Sequence, residues 1–108
     1  MSDIYYSPEN HGIEIVGELE QEPDYDFHKF VVWRDLKNKN IVYYATDSGC
    51  SCPMPFENFG GPETLTRVES RGALRSAAKA WIAELYERHG NPTIEEAEAL
   101  VSKVNPRK

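Results

Sequence analysis

Residues 27–34, Phe27-His28-Lys29-Phe30-Val31-Val32-Trp33-Arg34, are apolar on both faces, with Val31, Val32 and Trp33 in direct succession. A strand with one wet face alternates apolar and polar residues, whereas a strand covered on both sides reads as a nearly continuous apolar run. The stretch therefore predicts a central strand over about residues 27–34. Upstream, Ile13, Ile15 and Leu19 alternate with Glu14, Glu18 and Glu20, which predicts a half-solvated strand over about 13–20. Gly17 interrupts that alternation and marks a place for a bulge. Residues 21–26, with Pro23 and two aspartates, read as a turn. Downstream, residues 35–40 (DLKNKN) supply turn chemistry, and residues 41–46 (IVYYAT) are β-branched and aromatic, as expected of a strand that pairs back as a hairpin. The expectation is a three-stranded antiparallel meander.

Residues 47–65 (DSGCSCPMPFENFGGPETL) break all periodicity with three glycines and three prolines, and predict one long loop. Loops of that length without structure of their own are uncommon in compact domains and tend to carry function. Met54, Phe56 and Phe59 argue against disorder, because disordered segments are poor in large apolar residues. Pro53 and Pro55 push Cys52 and Met54 toward extended backbone. The reading is thus a stiff arm over 52–55 that carries Phe56 to a buried position, with Cys50 and Cys52 pointing the same way. Beyond the loop, Leu74, Ala77, Ala78, Trp81, Ile82 and Leu85 recur at helical spacing, predicting a helix over about 67–89 closed by Gly90 and Pro92. Thr93 and Glu96 form a capping-box pattern ahead of a second helix over about 94–104. The fold class is α+β, a single domain over 1–108, with both C-terminal helices packed on one face of the sheet.

The 108 residues are 40% hydrophobic, with 18 acidic and 12 basic side chains and a net charge of −6. That composition fits one domain with a core of its own. No stretch approaches the ~20 apolar residues of a membrane span, and the first residues lack the basic and apolar regions of a secretory signal, so a cytoplasmic location is expected. The charge is lopsided. Residues 1–28 hold eight acids and no Lys or Arg, while the remainder, with twelve basic against ten acidic residues, carries +2. Direct nucleic-acid binding is disfavoured, since phosphate affinity comes mainly from clustered Lys and Arg.

Three constellations bear on function. The first is Cys50-Ser51-Cys52. Zinc cysteines usually stand at least two residues apart and need two further ligands, here drawn from His11, His28 and His89. A thiol nucleophile needs a neighbouring histidine, cation or helix N-terminus. The plainer reading makes both cysteines small buried hydrophobes of the loop, with no metal and no cofactor. The second is the series Arg67, Arg71, Arg75 and Lys79, four apart on the predicted long helix. It is either a ridge that binds phosphate or a partner, or a row that faces the acids of residues 14–26. The third is the aromatic set, in which Tyr43 and Tyr44 point to opposite faces of one strand and so place one ring off the helix side. Dinucleotide, P-loop, zincin and hydrolase motifs are absent.

The stretch Phe30-Val31-Val32-Trp33-Arg34-Asp35, followed by Thr46-Asp47-Ser48-Gly49-Cys50-Ser51-Cys52-Pro53-Met54-Pro55-Phe56-Glu57, resembles small uncharacterised proteins of mycobacteriophages and related actinobacteriophages. Tyr5-Tyr6-Ser7-Pro8 and His11-Gly12-Ile13-Glu14 are similar as well, so the likeness covers roughly residues 5–65. No activity comes with that resemblance. It implies an accessory protein in the cytoplasm of an infected bacterium. The leading expectation is a non-catalytic protein that binds a host or phage macromolecule, in the first instance a protein, through the 47–59 loop. Asp47, Cys50, Cys52, Met54, Phe56 and Phe59 are its candidate contacts, and Arg71, Arg75 and Lys79 form a second candidate surface. The alternatives are a thiol enzyme or a redox or metal protein using Cys50 or Cys52, and an acidic DNA mimic built on residues 1–28.

Overall fold

The computed structural model describes residues 4–5, 7–21, 26–38, 40–50, 62–85 and 92–104. Four strands, β1 (Ile13–Gln21), β2 (Asp26–Asp35), β3 (Val42–Cys50) and β4 (Thr66–Arg67), form one antiparallel sheet in the order β1-β2-β3-β4. Helices α1 (Arg71–Glu84) and α2 (Ile94–Ser102) follow. Short 3-10 turns at Pro8–His11 and Pro62–Thr64 lead into β1 and β4.

The doubly apolar strand is fully enclosed: Phe30, Val31, Val32 and Trp33 each have 0% exposure. Period-two alternation divides them between two cores. Phe30 and Val32 join Leu19, Val42, Leu74, Ala78, Ala97, Leu100 and Val101 beneath both helices. Val31 and Trp33 join Ile13, Ala45 and Ile4 on the opposite face. There the N-terminal segment is the cover, fixed by the Trp33 indole Nε1, which donates to the Ile4 carbonyl at 2.8 Å in a buried position.

The sheet has four strands where the spacing predicts three, and its third strand is longer than expected. Asp47, Ser48, Gly49 and Cys50 continue β3, paired with Lys29, His28, Phe27 and Asp26. A full-length partner strand outweighs the turn tendency of Asp-Ser-Gly, because strand preference depends on context. Just past the predicted loop, Thr66 and Arg67, the latter expected in the long helix, pair with Tyr44 and Tyr43. The long helix starts at Arg71 rather than 67, since Ser70 in extended conformation caps it and accepts from the Ala73 N–H. It stops at Glu84, where Leu85 turns extended, short of the predicted 89. The capping box of Thr93 and Glu96 starts α2 as expected. The expected arm over 52–55, the burial of Phe56 and the shared direction of Cys50 and Cys52 lie outside the described residues or side chains.

Gly17 sits at the expected bulge: Ile15 pairs with Trp33 but Gly17 with Val32, leaving Val16 as the extra residue. Its lack of a side chain has a packing reason. A Cβ there would come within 2.7 Å of Leu100 Cδ1, the α2 side chain that seats on β1. Leu100 is itself 3% exposed and has little room to turn away. Gly17→Val is therefore expected to lower stability by about 2 kcal/mol through overpacking, read as a lower urea midpoint with an unchanged slope, with Gly17→Ala losing less.

Candidate functional site

Where α1 ends, the helix-bearing face of the sheet continues. Phe30 stacks on Tyr44 at 5.3 Å between ring centroids and meets Trp81 at 5.7 Å, tilted by 47°. These three rings close the core at that end. Past them, the same phase of the two central strands places His28 on β2 and Thr46 and Ser48 on β3. The last turn of α1 brings Trp81 and Glu84 over these strand residues, and Leu85 completes the wall. Together with Asp47 these residues line a cleft of about 320 Å³, which falls in the size range of pockets that hold small groups or single side chains. The lining combines one large indole and one leucine with hydroxyl, imidazole and carboxylate groups.

The cleft lies at the end of the sheet from which β3 runs directly into residues 51–61. Gln21 pairs with His28, and Asp26 with Cys50, at that same end. Of the loop residues singled out in the sequence, Asp47 reaches the cleft and Cys50 takes a backbone place in β3 opposite Asp26. Cys52, Met54, Phe56 and Phe59 lie outside the described residues. His11 ends the 3-10 turn just before β1, so β1 separates it from His28 by about 27 Å at 3.4 Å per residue. Among the described residues no three His, Cys, Asp or Glu side chains group as metal ligands do.

The cationic row faces a partner other than the one its charge suggested. Arg67 belongs to β4. Arg71 Nε donates to the Val104 carbonyl at 2.6 Å. Arg75 Nε straddles the Glu98 carboxylate, at 2.9 and 3.0 Å, and Lys79 Nζ approaches it at 3.4 Å. These contacts bind α1 to α2, so among the described residues Arg71, Arg75 and Lys79 are joined to the α2 segment and not to Glu14, Glu18 or Glu20. Three of those acids, Glu14, Glu18 and Glu20, are matched within the sheet instead. Glu14 pairs with Arg34 at 3.3 Å, and Glu20 and Glu18 converge on Lys29. The Tyr5 hydroxyl donates to Glu18 at 2.8 Å, and the Lys29 ammonium lies 5.2 Å from the centre of the Tyr5 ring.

Lys29 is 7% exposed, a buried charge. Burial alone would pull its pKa down, but hydrogen bonds to Glu20 and Tyr5 and the charge of Glu18 outweigh that, holding it above its ordinary value. Burial pushes the Tyr5 phenol up, which hydrogen bonding to Lys29 opposes and Glu18 reinforces. Hydrogen bonding to Arg75 first, and then to Lys79, holds the exposed Glu98 carboxyl below its usual range.

Sequence reasoning considered His28 only as a companion for the cysteines, and missed its meeting with Trp81 and Glu84 and the role of Lys29. Once β3 runs to residue 50, period two places His28, Thr46 and Ser48 on one face. A strand ended at 46 hides that juxtaposition.

A family model described as "Domain of unknown function (DUF7574)" matches residues 2–107. Neither a curated protein nor a solved structure matches the chain. No helix among the described residues is long and apolar enough to cross a membrane.

Two charge effects follow. Lys29→Met leaves Glu18 and Glu20 facing each other across a buried stem, and is expected to cost about 1–2 kcal/mol, because both carboxylates keep partial access to water. Raised folded pKa values mean that the Lys29–Tyr5 contribution is complete at neutral pH and is lost only as pH climbs through the folded values, above the usual lysine range of about 10.4. The depressed Glu98 acts in the opposite window: its contribution is present above about pH 4.3 and fades as pH falls through the folded value. Urea midpoints measured from pH 3 to 11 for the natural chain, Lys29→Met and Glu98→Gln check both, with the acid-side slope reduced in Glu98→Gln alone.

Proposed function

The chain belongs to the DUF7574 family, whose description names no activity, and on the geometry of this member we propose that it is a non-catalytic protein-binding module working through the 47–59 stretch. The observation that supports this reading is the cleft itself. Its strand wall, Thr46, Asp47 and Ser48, is the first part of the same segment that carries Met54, Phe56 and Phe59. A binding stretch anchored at one end in a sheet holds its contacts at lower ordering cost than a free loop. Phe and Met, the residue types that segment carries, are enriched at protein interfaces. The acting context we propose is the cytoplasm of a bacterium infected by a phage, with a host or phage protein as the partner. This rests on the likeness of the 46–57 block to actinobacteriophage proteins.

A thiol-dependent reading has one specific point in its favour. Cys50 stands two residues along β3 from Ser48, the pairing partner of His28, so the two backbones are diagonal neighbours at about 7–8 Å. A neighbouring histidine is one of the groups that favour the nucleophilic thiolate over the thiol. The DNA-mimic reading loses support, because Glu14, Glu18 and Glu20 are matched by cations of β2 rather than displayed singly.

Affinity capture with the full chain, followed by identification of what it holds, tests the binding reading. The expected result is one reproducible protein partner, lost when Met54, Phe56 and Phe59 are all replaced by Ala while the urea midpoint is kept. Retention of every partner by that variant overturns the role of the stretch. For the thiol reading, alkylation rates between pH 5 and 10 decide. A midpoint near the ordinary ~8.5 for both cysteines removes it.

A further inference from the structure

The last turn of α1 carries no basic residue, and Glu84 occupies it. A helix C-terminus presents partial negative charge from its unpaired carbonyls, which a cation there relieves and a carboxylate aggravates. Glu84 is thus set against the dipole of its own helix, at the rim of the cleft. Trp81, three residues earlier, shares its side of the helix. Asp47, paired with Lys29 between Thr46 and Ser48, belongs to the opposite face by the period of the strand, and lines the cleft without adding its charge to it. None of the described lining residues is Lys or Arg. Among the described residues, four cations of α1 and the sheet are engaged elsewhere. Arg71, Arg75 and Lys79 are held by Val104 and Glu98 of the α2 segment. Lys29 is held by Glu18 and Glu20 on the other side of the sheet.

We infer that the cleft formed by His28, Thr46, Ser48, Trp81 and Glu84 receives a lysine or arginine side chain from a basic segment of the partner protein, an inference that rests on the protein-binding reading above. Each element of the site has a use for such a group. The helix terminus and Glu84 attract its charge, and the indole face favours a cation through its quadrupole. Leu85 and the body of Trp81 cover the aliphatic stem, which long cationic side chains bury while their charge stays wet. The hydroxyls of Thr46 and Ser48 accept the hydrogen bonds an ammonium or guanidinium must make. The charge of the whole chain acts in the same direction: its net charge is −6, and such a field raises the encounter rate with a basic partner.

The full chain is titrated with a capped Gly/Ser hexapeptide carrying three Arg or Lys, with the same peptide carrying Glu at those positions, and with spermidine. NMR shifts of the Trp81 indole N–H and of the 46–48 and 84–85 amides report occupancy, and the fully buried Trp33 indole serves as the internal control. The expected result is saturable movement at these sites with the basic peptide alone, weakened about threefold by Glu84→Gln and abolished by Thr46→Lys, which places an exposed cation in the cleft. Unchanged urea midpoints show that both variants fold. No movement with the basic peptide, equal movement with the acidic one, or an unaltered response in both variants overturns the inference. Tighter binding of spermidine overturns the peptide as the source of the cation. If the Met54, Phe56 and Phe59 variant loses its partner while Glu84→Gln and Thr46→Lys keep it, the protein-binding reading stands and this inference falls.

Discussion

β2 has nothing to offer water between Phe30 and Trp33, and the architecture follows from that constraint. Four consecutive residues at 0% exposure require cover on both faces of the strand and a neighbour on each edge. β1 and β3 supply the edges. The two helices supply one face, and the N-terminal segment supplies the other through Ile4 and Tyr5. The two covers differ in kind. The helical one is a broad apolar contact. The N-terminal one is narrow and is held by polar pins, the Trp33–Ile4 hydrogen bond and the Tyr5–Glu18 contact. An indole N–H buried without a partner would cost roughly 1–3 kcal/mol, so the position of residue 4 is tied to the choice of Trp at 33.

Lys29 continues that logic at the polar end of the strand. It lies on the same face as Val31 and Trp33, too near the core to be solvated, and takes its counter-charge from the facing strand. Part of the acidity of residues 1–28 is therefore structural: three carboxylates serve Lys29 and Arg34. The row on α1 serves a separate purpose, joining the two helices through one shared carboxylate, Glu98.

Much of this fold was legible in the sequence. The doubly apolar run, the alternation of β1, the break at Gly17 and the Thr93–Glu96 capping box are local signals, and each survives packing. The misreadings share one cause. Asp47–Cys50 and Thr66–Arg67 carry turn-like or helix-compatible residues, and only pairing with strands distant in sequence makes them extended. The site suffered most. Its walls come from β2, β3 and the end of α1, so no contiguous motif announces it. Asp47 was singled out for its place in an odd segment and His28 only as a companion for the cysteines, whereas Trp81 and Glu84 looked like ordinary helix residues until the sheet brought them together.

The two covers of β2 also arrive at different times during synthesis. Ile4 and Tyr5 are made before the strand they protect, so that face can close as soon as the meander emerges. The helix-bearing face must wait for Leu74 through Val101, and at about 5–20 residues per second that delay is several seconds. A meander that pairs within that interval presents Phe30, Val32, Val42 and Tyr44, the residues the helices later cover, as a bare apolar surface. The nascent chain is thus exposed to aggregation on one side only, and a trigger-type chaperone would have one defined face to shield.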